Sequence, residues 1–216
     1  MFKMARVNIG CGSSPTPGWL NFDNSPSVLF GHLPESLTAM LERMGVIGPE
    51  NARLIEVARE EGVKRVSATS IPLPNASAEV IYSSHMLEHL DRHTARLFLA
   101  ECHRVLRPGG WLRLVVPDIA MYVNEYAADG DANRLVMSLR LAQERTTGFK
   151  RLAEIVVGFR GHRWMYDATS LSLLVSEFGF TTANVLDPGE TRIPDPGHLN
   201  LREREDESIY LEAQRL

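Results

Sequence analysis

Residues 7–12 read Val-Asn-Ile-Gly-Cys-Gly, and Asp23 follows eleven residues after Gly12. A short apolar strand that runs into a Gly-x-Gly turn, with a carboxylate after the next apolar stretch, suits a nucleoside-containing cofactor. Glycine lets the backbone approach such a ligand, and the carboxylate accepts hydrogen bonds from ribose hydroxyls. Two glycines after a strand also make an ordinary tight turn, so this stretch alone leaves both interpretations open.

The composition is that of an ordinary globular protein. Of 216 residues, 44% are hydrophobic and 23% are charged, and the formal net charge is -4. The length suits one domain over residues 1–216, and the lack of basic excess argues against a nucleic-acid partner. We expect no membrane span and no signal peptide, because the apolar runs are too short. The two cysteines, Cys11 and Cys102, form no metal-ligand pattern and favour a reduced, cytoplasmic protein.

Strands and helices alternate along the chain in the pattern of an α/β doubly wound sheet. Strands are predicted at 6–9, 19–23, 64–68, 79–83 and 111–116, and helices at 34–44, 50–61, 91–106 and 167–179. Two late strands, at 180–186 and 208–213, have no helix between them and predict an antiparallel hairpin at the sheet edge. The charged run between them, at 202–207, is expected to be a solvated strand edge or loop.

Two connections depart from the simple alternating pattern. The Pro/Gly-rich loop at 13–18 is too short for the crossover helix that a parallel neighbour normally needs, so a compact loop must replace that helix. After the fifth strand, residues 118–161 predict a mostly helical insertion that is broken near Gly130 and Gly148.

Three segments of the sequence, taken in their order along the chain, indicate a protein family. They read NIGCG at 8–12, LPNASAEVIYSSHMLEHL at 73–90 and ECHRVLRPGGWLRLVV at 101–116. Together they resemble the class I S-adenosylmethionine-dependent methyltransferases, and the type 11 group in particular. The GWLNFD link at 18–23 and the LNLR tail at 199–202 are similar to a small bacterial subgroup of predicted methyltransferases. The resemblance covers nearly the whole chain and implies a Rossmann-like sheet of about seven strands with a reversed last strand.

The resemblance also implies S-adenosyl-L-methionine as the cofactor and gives roles to the first segments. Gly10 and Gly12, with Cys11 between them, would lie beside the methionine part, where only a bare backbone fits. Asp23 would accept hydrogen bonds from both ribose hydroxyls, with Asn24 next to it.

Two further groups of residues would complete the cofactor site by the same resemblance. Along the adenine would lie Thr69, Ser70 and Ile71. At the carboxyl end of the fourth strand, three residues would line the methionine and the transferred methyl group: Ser83, Ser84 and His85. Many relatives carry an acid near positions 67–70 that binds the adenine amino group. This chain has Ser-Ala-Thr-Ser there, so a backbone carbonyl or a hydroxyl is expected to substitute.

Residues 85–89 read His-Met-Leu-Glu-His, which matches the H-x-x-E-H pattern of some zinc hydrolases. On one helix, the two histidines would bind a metal and the glutamate would act as a general base. The motif begins at a predicted strand end, so we expect no metal, with His89 as a hydrogen-bonded histidine at a helix start. His85 is a candidate general base, with positioning of the methionine as the favoured alternative.

The acceptor side is expected over residues 118–166, where the helical insertion would form a lid. Four residues are candidates for the acceptor pocket: Asp118, Tyr122, His162 and Arg163. Arg163 would suit a carboxylate or phosphate. The alternatives are ordinary helical packing and a hydrophobic hinge with Trp164 in the core.

The sequence therefore predicts metal-independent methyl transfer to a small molecule or glycan intermediate, by a monomer or homodimer. A non-catalytic S-adenosylmethionine-binding protein on the same fold stays open as an alternative. A nicotinamide-dependent oxidoreductase is disfavoured, because Pro15 stands where the third glycine of G-x-G-x-x-G belongs.

Overall fold

The computed structural model describes residues 4–140, 161–181 and 183–216. Within them, seven strands form one sheet in the order β3-β2-β1-β4-β5-β7-β6. The strands are β1 (Ala5–Ile9), β2 (Leu20–Asp23), β3 (Lys64–Arg65), β4 (Ala78–Ser84), β5 (Leu106–Pro117), β6 (Asn184–Leu186) and β7 (Ser208–Gln214). Strands β1 to β5 pair in parallel, whereas β7 runs antiparallel to both β5 and β6. The predicted doubly wound sheet with a reversed last strand is confirmed.

The described helices flank this sheet and lie in three of its six connections, from β2 to β3, from β4 to β5 and from β5 to β6. They are α1 (Ser27–Phe30), α2 (Glu35–Arg43), α3 (Pro49–Glu60), α4 (Arg92–Val105), α5 (Ile119–Asp129), α6 (Ala132–Ser138) and α7 (Ala168–Ser176), with a 3₁₀ helix at Leu87–His89. Aspartates cap the N-termini of four of them, α4, α5, α6 and α7; Asp91 accepts from the Thr94 amide at α4, and Asp167 forms a capping box at α7. No described helix is long and apolar enough to cross a membrane.

The predicted compact loop joins β1 to β2 without a crossover helix. The side-chain amide of Asn8 donates to Thr16 Oγ1 at 3.1 Å, and the Thr16 amide donates to Asn21 Oδ1 at 2.8 Å. Asn21 Nδ2 donates back to the Thr16 carbonyl at 3.1 Å, and all three residues are buried. These side chains satisfy buried backbone groups that a helix would otherwise satisfy internally.

The core lies on both faces of the sheet. On one face, Phe98 of α4 and Leu171 of α7 pack in the cluster that contains Ile81 of β4. On the other face, Tyr82 of β4 packs with Leu199 of the segment that leads to β7. Because neighbouring residues of a strand point to opposite faces, β4 serves both clusters.

Several element boundaries differ from the sequence prediction. Strand β3 is limited to Lys64–Arg65, because its partner β2 ends at Asp23. The helix α1 was not predicted, and β6 begins only at Asn184. The helical insertion is confirmed for α5 and α6, which are separated at Gly130 with φ 70°. The rest of that prediction, including the break at Gly148, falls in 141–160 and lies outside the described residues.

Candidate functional site

The two glycines of the first turn have different roles. Both lie in the left-handed region, with φ 70° at Gly10 and 51° at Gly12. A Cβ atom on Gly10 would lie 2.4 Å from Cγ of Met86, whereas a Cβ atom on Gly12 would meet no atom within 4 Å. Glycine is thus required at position 10 by packing, and Gly12 borders open space that a ligand can fill.

This difference predicts unequal effects of alanine at the two positions. Gly12→Ala should lower the free energy of unfolding by about 1–2 kcal/mol, because of the left-handed backbone. Gly10→Ala should cost about 1–3 kcal/mol more, because the new methyl group also overlaps Met86. Urea denaturation followed by circular dichroism measures both. Met86→Ala in the Gly10→Ala background should recover part of the loss, and equal losses in the two single variants would contradict this assignment.

The carboxylate of Asp23 is held against the glycine turn. Its Oδ2 accepts a hydrogen bond from the Gly12 amide at 2.9 Å, and its Oδ1 accepts one from the Ser25 amide at 2.7 Å. Each carboxylate oxygen keeps lone-pair capacity for a further donor, such as a ribose hydroxyl. Asn24 is exposed beside it. The structure therefore brings Gly12 and Asp23 together at the carboxyl ends of β1 and β2.

Cys11 lies between these glycines, and its side chain is buried in a hydrophobic cluster. Burial raises the pKa of its thiol, and the nearby charge of Asp23 raises it further. The group therefore stays protonated and is a poor nucleophile.

The predicted adenine segment is fixed from α4. The Ile71 amide donates to Oε1 of Glu101 at 2.6 Å, and Arg104 Nη2 donates to the Ile71 carbonyl at 3.0 Å. Arg104 also pairs with Glu101 at 2.7 Å. These contacts give the Glu-Cys-His-Arg part of the third segment a physical role, which is to hold the loop before β4.

The hydroxyls expected to replace an adenine-binding acid are only partly occupied by contacts of the loop itself. The Ser67 and Thr69 hydroxyls lie 3.0 Å apart and hydrogen-bond to each other, and Ser70 is exposed. Backbone groups of this loop therefore remain the better candidates for adenine recognition.

Glu101 should make stability depend on pH. Hydrogen bonds from Arg104 lower its pKa first of all, and the Ile71 amide adds to the effect. A carboxyl with a lowered folded-state pKa stabilises the fold above its unfolded pKa, and that stability is lost as the pH falls through the folded value. Glu101→Gln should thus lower the melting temperature near pH 7, and the difference from wild type should shrink below about pH 4.5. Glu177→Gln, which removes an exposed ion pair with Arg96, should change little at either pH; a Glu101 effect that is the same at pH 7 and pH 3 would contradict the linkage.

The end of β4 carries the predicted methionine-side residues. Ser83 is buried, and its hydroxyl has no hydrogen-bond partner within the described part of the chain. Ser84 is half-buried next to it. His85 follows with φ 48°, and its Nε2 lies 2.9 Å from Ser208 Oγ. Its Nδ1 lies 3.3 Å from Nη1 of Arg204, so both ring nitrogens are engaged.

The H-x-x-E-H residues do not share one regular helix. His85 follows the strand end, whereas Glu88 and His89 lie in the 3₁₀ helix, as expected from the strand context. The His89 Nδ1 atom lies 3.2 Å from the Gly161 carbonyl oxygen. Glu88 is buried between His85 and His89, at 3.5 and 3.8 Å from their ring nitrogens.

Of the four acceptor-pocket candidates, two are buried, one is half-buried and one is exposed. Tyr122 is buried and donates to Oε2 of Glu207 at 2.9 Å; burial raises the pKa of its hydroxyl. His162 is buried as well, and burial lowers its pKa. Asp118 instead caps α5 by accepting from the Ala120 amide at 2.9 Å.

Arg163 and Trp164 are both exposed to solvent. The Arg163 guanidinium is exposed, and its Nη1 lies 3.7 Å from Oδ2 of Asp91. The structure therefore does not place it with the buried side chains of Tyr122 and His162. The alternative of a core Trp164 is wrong, because this side chain is 40% exposed and stacks under the Arg92 guanidinium, 4.6 Å from the ring centroid.

The charged run before β7 makes site contacts that were not predicted from the sequence. Arg204 and Ser208 contact His85, and Glu207 contacts Tyr122. Its alternating charges favoured a solvated loop, and the pairs are 85 to 123 residues apart in sequence. Its position directly before the central antiparallel strand was the available signal.

Comparisons with known proteins agree with this geometry. The family model described as a methyltransferase domain, of type 11, matches residues 7–114. No curated protein is significantly similar to the chain.

Solved structures show the same fold at low sequence identity. A methyltransferase from Thermotoga maritima, described as a possible histamine N-methyltransferase, is 17% identical with a TM-score of 0.56. That similarity covers 100% of this chain and 84% of the other. A methyltransferase from Methanosarcina mazei is 18% identical with a TM-score of 0.52, covering 100% of this chain and 94% of that one. With half of its length matched by the family model, this chain belongs to the type 11 family of class I S-adenosylmethionine-dependent methyltransferases.

Proposed function

We propose that this protein transfers a methyl group from S-adenosylmethionine to a small-molecule or glycan-intermediate acceptor. The observation that most directly supports this proposal is the position of the Asp23 carboxylate. Its Oδ2 accepts a hydrogen bond from the Gly12 amide at 2.9 Å, beside open space at the end of β1. A nucleoside cofactor needs a backbone without a side chain and a ribose-binding acid at this place. The bound sulfonium supplies an already activated methyl group, so the protein mainly aligns donor and acceptor.

The proposed cofactor-binding site extends along the carboxyl ends of the central strands. Asp23, next to Asn24, would hold the ribose, and the loop at Thr69–Ile71 would lie along the adenine. Ser83, Ser84 and His85 would line the methionine. The Ser83 hydroxyl is buried and has no hydrogen-bond partner among the described residues. It supports the methionine end of the proposed binding site, because such a group is normally satisfied by a ligand or water.

For His85 we favour a positioning role over that of a general base. Its Nε2 lies 2.9 Å from Ser208 Oγ and its Nδ1 lies 3.3 Å from Arg204 Nη1, so both ring nitrogens are already held by contacts with other side chains. A positioning role predicts that His85→Gln mainly raises the KM for the cofactor. A role as general base predicts instead a lower kcat and loss of the acidic limb in the pH profile.

On the acceptor side, α5 and the segment 161–166 would form the described parts of a cover over the site. Tyr122 and His162 are buried polar groups of this cover and better candidates for acceptor contacts than Asp118 and Arg163. We further propose action in the cytoplasm, consistent with two free cysteines. One domain over 1–216 and a monomeric or dimeric state also remain proposals.

The test is a transfer assay with S-adenosylmethionine labelled in the methyl group. A panel of sugars, sugar nucleotides, small amines and hydroxy acids should contain an acceptor that gains the label with wild-type protein and not with Asp23→Ala. Cofactor binding without transfer to any acceptor class would favour the non-catalytic alternative. Binding of a nicotinamide nucleotide in place of S-adenosylmethionine would favour the oxidoreductase.

The sequence predicts metal independence, whereas Glu88, His89 and His162 lie close enough together to hold a metal ion.

A further inference from the structure

The carboxylate of Glu88 is buried, and its Oε1 lies 3.5 and 3.8 Å from ring nitrogens of His85 and His89. Its side chain is 1% exposed, and neither oxygen has a hydrogen-bond partner within the described residues. A buried carboxylate is strongly unfavourable unless it is paired, protonated or bound to a metal. The hydrogen bonds of the described residues therefore leave both carboxylate oxygens free for a further partner.

Histidine nitrogens surround this carboxylate. Ligand atoms of Glu88, His89 and His162 all lie within 4.8 Å of one another. Donor atoms about 2.1 Å from a tetrahedral ion would be roughly 3.4 Å apart, so small side-chain rotations would bring the three into a coordination sphere.

The hydrogen bond of His89 suits a metal ligand. If Nδ1 donates its proton to the Gly161 carbonyl at 3.2 Å, the lone pair of Nε2 is directed to the Glu88 side. A metal-binding histidine typically donates its second N–H to a backbone carbonyl in this way. In the same cluster, Nδ1 of His162 is buried with no hydrogen-bond partner among the described residues.

The backbone holds the ligands from distant parts of the chain together. The Glu88 carbonyl accepts hydrogen bonds from the amides of Arg163 at 2.7 Å and Trp164 at 3.1 Å. This clamp fixes the residues around His162 against the 3₁₀ helix. A binding site that is organised before its ligand arrives needs less ordering when the ligand binds.

We propose that Glu88, His89 and His162 bind a divalent transition-metal ion, with Zn²⁺ as the best-matched chemistry. Two imidazoles and one carboxylate form a three-ligand set that leaves a fourth position open. His85, 3.5 Å from Glu88, puts the cluster at the end of β4. The open position suits an oxygen of the methyl acceptor, and only this last assignment rests on the proposed function.

The rival explanation needs no metal. A protonated His89 would pair with Glu88, and His162 would pack edge-on against it, with ring centroids 5.2 Å apart. This arrangement predicts no stoichiometric metal binding.

The test uses the full chain, stripped of metal with a chelator. Calorimetry with Zn²⁺ should give one site per chain, and Co²⁺ should give the visible absorption of a tetrahedral complex. Glu88→Gln and His162→Gln should each weaken Zn²⁺ binding at least 10-fold. His93→Gln, which alters an exposed histidine of α4, should bind as wild type does.

Absence of one-to-one binding in the wild type would overturn the proposal, as would unchanged affinity in the His162→Gln variant. Circular dichroism checks the fold of each variant, and His89→Gln replaces Glu88→Gln if that variant does not fold. Titration of the metal-free protein with S-adenosylhomocysteine separates the two questions. Cofactor binding without any metal binding would remove the metal site and leave the methyltransferase assignment intact.

Discussion

Asp23→Ala is expected to weaken S-adenosylmethionine binding about 100-fold or more. Hydrogen bonds to a charged group contribute roughly 1.5–3 kcal/mol each, and two ribose hydroxyls would lose such an acceptor. Alanine also releases the amides of Gly12 and Ser25, which the carboxylate now holds. The glycine turn would thus lose its orientation together with the ribose acceptor. Calorimetric titration of the purified variant measures the affinity directly.

Two companion variants make this prediction specific. Asp23→Asn keeps the shape and one acceptor oxygen, so its loss of affinity should be smaller than that of alanine. Asp187→Ala removes an exposed carboxylate after β6 and should bind as wild type does. Affinity that is unchanged in Asp23→Ala would show that the ribose lies elsewhere.

The second large effect is expected from the buried ion pair between β5 and β7. Arg113 Nη1 lies 2.6 Å from Glu212 Oε1, and both side chains are fully buried. Glu212 also accepts from the Thr191 hydroxyl at 2.6 Å and the Arg192 amide at 2.7 Å. Glu212→Ala leaves the guanidinium and these donors without their acceptor. It should therefore lower the free energy of unfolding by about 3–5 kcal/mol, measured by urea denaturation.

The exposed pair of Arg202 and Glu205 is a matched control. Their side-chain atoms lie 2.8 Å apart, but both residues are exposed to solvent. Glu205→Ala should lower the free energy of unfolding by less than about 1 kcal/mol, because an exposed pair gains little over hydration. Similar losses in Glu212→Ala and Glu205→Ala would contradict the structural role given to burial here.

Local patterns in the sequence carried much of the fold. The apolar strand before Gly10 and the alternating stretch before Asp23 predicted two neighbouring strands, and the pair is parallel as expected. The absence of a helix between them was predicted from the shortness and the proline content of the loop. What the sequence did not reveal is how Asn8 and Asn21 stabilise that loop, because buried side-chain amides look like ordinary polar residues in a sequence.

The candidate site was less accessible to sequence reasoning. Gly12 and Asp23 were identified together, and the structure joins them by a hydrogen bond. The contacts of His85 with Arg204 and Ser208 depend on how β7 enters the sheet beside β5. Neither periodicity nor motif spacing specifies such a long-range approach. The same reason explains why the H-x-x-E-H pattern did not reveal His162 as its neighbour.

A calorimetric titration of the wild-type chain with S-adenosylhomocysteine tests the cofactor assignment most directly. We predict saturable binding with one site per chain, strongly reduced in Asp23→Ala and unchanged in Asp187→Ala. A wild-type chain that is folded but gives no saturable binding of either S-adenosylhomocysteine or S-adenosylmethionine would contradict the assignment.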